Sequence, residues 1–346
     1  MVPALRKASK SNEGSVTLHA MPQNVDEAER AQRDAGRVGD VLAIVRFGAA
    51  RPKQPGTAWV EAGVPNMLLS AHPAEEMWPA SGPVARLDVA GAAAAADDRS
   101  LFVAMESEAD PAAPMGALTF DLYRRLLRGV AQAGYPHLLR VWNYVPRIHD
   151  RSAGIEGYMA FCQGRSEAFG AHLGPAFPDR LPAASAVGCP GDVLVVHALA
   201  SREPGRHVEN PRQVAAYRYP ERYGPKSPSF ARGTVAPPAW ERTLFVSGTA
   251  SIVGHESVFP GEPARQAEET MRNIEAVLDG AGVPGRGGPM GGRLRSLRVY
   301  VRFPDQLEAI RAAVTAAAGT AVPTAWLQAE ICREELLVEI EATARA

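Results

Sequence analysis

The feature that most constrains this chain is an internal repeat. Leu138 to Pro146 reads LLRVWNYVP, and Ser296 to Pro304 reads SLRVYVRFP. Each segment follows an amphipathic run ending in Ala-Gly (Ala133-Gly134 and Ala281-Gly282), which itself follows a strand-like stretch, SLFVAMES from Ser100 or TLFVSGTA from Thr243. Each is followed by a helix-like run, a proline (Pro182 or Pro323) and an apolar strand, LVVHALA from Leu194 or LVEIEATA from Leu337. A repeat of this length implies a duplicated domain. Superposing the two last strands puts Val196 where Glu339 stands and Ala198 where Glu341 stands, so the first copy reads as scaffold and the second as the active half.

The length of 346 residues suits two domains, and a hydrophobic content of 46% supplies each with a core. Thirty-seven basic against 38 acidic residues give a net charge of -1, which offers no broad field for nucleic acid or anionic lipid. A small molecule is the expected partner. Cys162, Cys189 and Cys332 are odd in number and lack a CxxC spacing, the histidines are scattered, and no metal constellation is present. Neither a GxGxxG nor a phosphate loop occurs. The N-terminus has no apolar signal region, and the alanines at 92–96 are too few to span a bilayer. The chain reads as cytoplasmic, with no membrane partner.

Residues 1–40 are polar and aperiodic and read as a tail or a surface-draped segment. Residues 41–215 form the degenerate first domain, running strand, strand, helix, strand, helix, strand, with its last helix near Glu156 to Phe169 and Gly170 as its stop. Within it, Ser201 to Pro238 is a long connector rich in Pro, Arg and Tyr that crosses into the second domain at residues 216–346. There Leu244 to Ser247 reads as a strand, and Arg265 to Asp279 as a helix that Gly282 ends. The run GVPGRGGPMGGR from Gly282 reads as a flexible surface insertion. Leu297, Val299, Val301 and Phe303 form the apolar face of a strand, and Arg302 points away from it.

In Leu337 to Glu341 the two-residue period puts Val338 and Ile340 on one face and Glu339 and Glu341 on the other. A carboxyl on a covered face is desolvated, which raises its pKa and suits it to general acid work. Glu339 is the leading candidate and Glu341 the second. Cys332 lies close enough in sequence to reach the same place. Arg165 sits on a helix-like run, and Tyr144 and Arg302 hold matched positions on the twin strands. Tyr217, Arg218, Tyr219, Tyr223 and Arg232 cluster in the connector, a set suited to a planar anion because guanidinium groups bind carboxylates bidentately.

From Trp240 to Ala344, the strand LFVSG, Gln266 and Asn273, VYVRF, Pro323 and VEIEATA resemble the reactive-intermediate deaminase (YjgF) family. That family carries an arginine two residues after the proline, whereas Ala325 and Trp326 stand here, which argues against imine deamination. Over Val41 to Ala344, the segments LRVWNYVPRI, FCQGR, LPAASAVG, ENPRQVAAYRYP, SGTASIVGHES and CREELLVEIEA resemble the chorismatases, tandem versions of that fold.

The resemblance implies an α/β (α+β) chain of two tandem YjgF/chorismate-mutase-like domains, each a β-sheet with helices on one face. It also implies an enzyme that releases the enolpyruvyl group of chorismate as pyruvate without a cofactor. Carried over by position, Glu339 is the acid, and Arg165, Tyr144, Tyr217, Tyr219, Arg302 and Ala250 are candidates for substrate binding. A cysteine before the acid, Cys332, resembles the subtype that makes 3-hydroxybenzoate through an arene oxide. Ala250-Ser251 resembles the hydrolytic subtype, which makes 3,4-dihydroxycyclohexa-1,5-diene-carboxylate. A deaminase-like hydrolase and a non-catalytic YjgF-like binding protein are the alternatives, and a monomer and a homotrimer both remain open.

Overall fold

The computed structural model describes residues 23–24, 41–49, 58–70, 75–110, 113–152, 154–240, 242–285 and 290–346. Most of the proposed tail, and residues 286–289 of the glycine-rich insertion, lie outside the described residues.

Three main sheets, beside two short two-stranded ones, organise the described residues. The first joins β1 (Gln23–Asn24), β2 (Val41–Phe47), β3 (Val60–Val64) and β4 (Glu75–Pro79) in the order β1-β4-β2-β3. The second holds β5 (Ala85–Val89), β6 (Ala92–Ala96), β7 (Ser100–Glu108), β8 (His137–Pro146), β9 (Ala183–Cys189) and β10 (Val193–Ser201), ordered β9-β8-β10-β7-β6-β5. Helices α1 (Met115–Gln132) and α2 (Gly157–Leu173) pack on one face of it. The third holds β11 (Arg206–Val208), β12 (Gly233–Val235), β13 (Thr243–Ala250), β14 (Leu294–Val301), β15 (Thr324–Gln328) and β16 (Val338–Arg345). Its order, β15-β14-β16-β13-β12-β11, repeats that of the second sheet, with α3 (Pro263–Ala281) and α4 (Leu307–Ala318) on one face.

The elements expected from sequence appear in order from Ser100 onward, but each copy has a further strand between its proline and its last strand, β9 and β15, and β2 does not join the first copy. Val41–Phe47 alternates too little to present one polar face, every residue but Arg46 being buried, and it pairs instead with β3 and β4. This small sheet fills the space between the two large ones. Leu42, Val45 and Trp78 pack with Phe102 and Trp142 of the second sheet and with Phe245 and Tyr300 of the third in one central apolar cluster. Trp78 meets Trp142 edge-on at 5.3 Å and Phe245 at 6.1 Å.

Helix α2 runs past Gly170 to Leu173, because Gly170 keeps helical geometry and it is Gly174, at a φ of 76°, that turns the chain out. Gly164 on α2 lies so close to α1 that a Cβ would come 2.0 Å from the Gly116 carbonyl oxygen, so only glycine permits this crossing. Helix α3 ends as expected: Gly282 adopts a left-handed conformation and its N–H reaches the Leu278 and Asp279 carbonyls.

The register of the last strands corrects the superposition read from sequence. Trp142 of β8 faces His197 of β10, and Tyr300, its repeat partner on β14, faces Glu339 of β16. The structural counterpart of Glu339 is therefore His197, and that of Glu341 is Leu199. Val196 belongs to the opposite, helix-covered face. A slip of one residue changes the face of every side chain on a strand.

Candidate active site

Glu339 and Glu341 share the face of β16 that turns inward toward the other sheets, each 4% exposed, while Val338 and Ile340 enter the core beneath α3. Beside Glu339 lies a cavity of about 290 Å³, lined on one side by Ala184, Ser185 and Ala186 of β9 and on the other by Gly248 and Ala250 of β13. The connector supplies Tyr219, Tyr223, Phe230 and Arg232, helix α2 supplies Arg165, and the segment before β16 supplies Cys332 and Arg333.

Each wall has a local cause. Strand β9 is tied to the third sheet where the Ala184 N–H donates to Ser247 Oγ at 2.8 Å and the Ala183 N–H donates to Thr234 Oγ1 at 2.8 Å. Strand β13 shifts register between Val246 and Thr249, so Ser247 and Gly248 form a bulge. Gln266 and Asn273, singled out as family-like residues, lie outside the cavity and anchor its edges. Gln266 takes the Leu337 N–H and donates to the Glu335 carbonyl, and Asn273 donates to the Ala250 and Ile252 carbonyls.

The electrostatics set the two glutamates apart. Burial, helped by the negative charge of Glu341, pushes the Glu339 carboxyl up to about 8, with Arg140 and Arg232 pulling weakly the other way. Its Oε1 is buried without a hydrogen-bond partner. Glu341 is equally buried, yet Arg140 and Arg298 outweigh that burial and hold it below the usual carboxylate range. Cys332 is driven far up by burial and by Glu339, and so is a neutral thiol.

Arg165 is 1% exposed, and none of its three guanidinium nitrogens has a hydrogen-bond partner. It stacks over Phe161 at 4.8 Å. Arg232 donates to the Val214 carbonyl and to the Tyr219 hydroxyl and leaves Nε unpaired. Arg333 lies over the Tyr223 ring at 4.0 Å. A buried cation without an acceptor is costly in the empty protein and becomes favourable when an anion arrives. The cavity is built for an anionic ligand beside a carboxylic acid.

Of the residues proposed from sequence, Glu339, Cys332, Arg165, Tyr219 and Ala250 line this cavity together. Tyr144, Tyr217 and Arg302 do not. Tyr144 lies on the inward face of β8 and accepts from Arg298 at 3.2 Å, which buries it between the sheets. Arg302 falls just past the end of β14 and turns to pair with Glu330 at 2.7 Å, beside a separate cavity. Tyr217 lies edge-on to His207 at the outer side of the connector. Arg232 had been grouped with the connector cluster, and its place at the site follows from the connector folding back between the sheets. Tyr158, Ser185, Gly248 and Arg333 carried no sequence signal that marked them for the site. Among the described residues, no group of three His, Cys, Asp or Glu side chains is placed to hold a metal ion.

Comparison with known proteins decides the family. A protein named 3-hydroxybenzoate synthase from Streptomyces hygroscopicus is 35% identical over 281 residues, covering 79% of this chain and 82% of the relative. The chain belongs to the chorismatase family. A chorismatase from Streptomyces rapamycinicus is 40% identical over 64% of this chain and 68% of its own length. Residues 76–200 match the family described as "Chorismatase FkbO/Hyg5-like, N-terminal". A crystal structure of a chorismatase superposes with a TM-score of 0.78 and 31% identity, over 88% of this chain and 93% of that one. Membership makes the chain an enzyme and removes the non-catalytic reading that the sequence left open. Ala325, which stands where the deaminase family carries an arginine, is a buried residue of β15. Among the described residues, no helix is long and apolar enough to cross a membrane.

Proposed function

We propose that this chorismatase cleaves chorismate to pyruvate and 3-hydroxybenzoate, with Glu339 as the proton donor. The observation that carries the reading is Glu339 itself, a carboxyl kept in its acid form inside a cavity lined by buried Arg165, whose guanidinium nitrogens have no hydrogen-bond partner in the protein. Chorismate is a small dicarboxylate with an enol ether, and two carboxylates match two arginines that line the cavity and keep unpaired nitrogens, Arg165 and Arg232. Fixing both ends of the ring orients the ether toward the acid.

The Glu339 proton goes to the methylene carbon of the enol ether and produces an oxocarbenium ion. The bond between ring carbon and ether oxygen then breaks, and its electrons complete the carbonyl of pyruvate. The neighbouring ring hydroxyl closes on the vacated carbon to give an arene oxide, and its proton returns to the Glu339 carboxylate. Opening of the oxide with loss of the ring proton leaves 3-hydroxybenzoate, so the sequence is a net cleavage that consumes no water. Cys332, a neutral thiol on the cavity wall, relays the proton during this last rearrangement.

A hydrolytic outcome is the second reading, favoured by Ala250, whose small side chain pairs in register with Glu339 and leaves room for water there. The two outcomes differ by one water molecule in the products. Incubating the protein with chorismate and identifying the acid released beside pyruvate separates them: an aromatic hydroxy acid supports the first, a dihydroxydiene acid the second. Absence of pyruvate would refute both. We also read the central sheet of β1 to β4 as occupying the inward faces of both large sheets, which favours a monomer over a trimer.

A further inference from the structure

Two buried carboxyls stand two residues apart on one face of β16, and the structure treats them oppositely. Glu341 accepts from the Tyr300 hydroxyl at 3.0 Å and the Trp142 indole at 2.9 Å, and it forms an ion pair with Arg140 at 2.9 Å. Glu339 has none of these, and its Oε1 is orphaned. Same-face neighbours on a strand lie roughly 7 Å apart, close enough in a dry interior that two negative charges repel strongly. One negative charge is accommodated, and the donors place it on Glu341.

We propose that Glu341 is a positioning residue for the reaction: by drawing Arg140, Trp142 and Tyr300 to itself, it fixes the negative charge two residues along the strand and keeps Glu339 an acid. The surrounding groups are consistent with this from every side. Arg298 on β14 is 3.9 Å from Glu341 but is already engaged by Glu76 of β4 and the Tyr144 hydroxyl. From β8, Arg140 also donates to Ser185 Oγ at 3.1 Å, on the cavity wall, and keeps its Nη1 unpaired. Cys332, a neutral thiol, and Arg232 face Glu339 from the far side of the cavity. Arg140 is therefore the cation that Glu341 withholds from Glu339. The inference deepens the reading of Glu339 as proton donor and rests on it.

The test is the pH profile of pyruvate release by wild type, Glu341→Gln and Glu341→Asp, paired with infrared difference spectra of wild type and Glu339→Gln. In Glu341→Gln the repelling charge is gone and Arg140 is free to turn to Glu339. The alkaline limit of kcat should fall by about one unit or more, with the acid-side plateau retained, while Glu341→Asp restores the limit. Equal loss at every pH with an unmoved limit, the mark of a merely structural role, would overturn the proposal.

The infrared comparison needs neither substrate nor a folded Glu341→Gln. A carboxylic-acid carbonyl band at neutral pH that vanishes in Glu339→Gln supports the assignment, and a band that persists unchanged sinks it. If that band is assigned to Glu339 while wild type releases no pyruvate from chorismate, the charge placement stands and the proposed reaction fails.

Discussion

Gly248 lies against Glu339 so closely that a Cβ at position 248 would come within 2.0 Å of the carboxyl Oε1. The bulge in β13 brings bare backbone to the acid, and no side chain fits between them. Gly248→Ala should therefore displace Glu339 and lower kcat about 10²-fold or more, since general acid catalysis contributes roughly 10²–10⁴-fold. Near-native circular dichroism with lost pyruvate release would bear this out, and full activity would refute it.

Glu339→Gln removes the proton and should cost about 10²–10⁴-fold in kcat. The same change should stabilise the protein. Glu339 has a folded pKa of about 8 against an ordinary 4.5, so the folded state holds a proton that the unfolded state releases, and stability declines as pH rises through that window. At pH 7 the variant should be more stable by up to ~3 kcal/mol, at about 1.4 kcal/mol per pH unit. The gain should shrink toward pH 4.5, and denaturant melts at both pH values measure it.

In the proposed mechanism the acid form of Glu339 is the working one, so kcat should be level at neutral pH and fall above about pH 8 as the carboxyl ionises. A profile that rises through this range would assign Glu339 the role of base.

Arg165→Met should raise KM for chorismate roughly 10- to 100-fold, the range of a lost charged hydrogen bond. Because buried Arg165 has only the Phe161 ring and the neutral Tyr123 and Cys162 beside it and no carboxylate, the free variant should melt no lower than wild type. A KM unchanged within twofold would place the substrate carboxylates elsewhere.

Cys332→Ala should still release pyruvate while yielding less 3-hydroxybenzoate and more dihydro acid, as read by chromatography of the ring product. An unchanged product ratio excludes the thiol from the rearrangement.

The duplication and the covered position of Glu339 were legible in the chain because both are written in local patterns. The twin strands share a Leu-Arg-Val run and a closing proline at matched positions, and a two-residue period separates Glu339 from Val338 regardless of what covers either face. What the sequence withheld depends on partners far along the chain. The slip between Val196 and His197 arose because both stretches are apolar, so hydrophobicity alone does not mark which face is which. Tyr144 and Arg302 match in the repeat, yet one lies within its strand and the other just beyond, which sends them to different surroundings. Arg232 and Arg333 became site residues only once the connector and the segment before β16 closed over the cavity.

The histidine that faces Trp142 where Glu339 faces Tyr300 is buried and held neutral, its pKa lowered to about 3 by burial and by Arg298. In an assembly of identical subunits, whatever residue served as acid would recur at every equivalent contact, and so would the cost of keeping it dry. Joining the copies in one chain broke that obligation. Position 197 holds a buried, neutral histidine packed in the sheet, so the chain carries the cost of a dry carboxyl at this position in one copy and not in both.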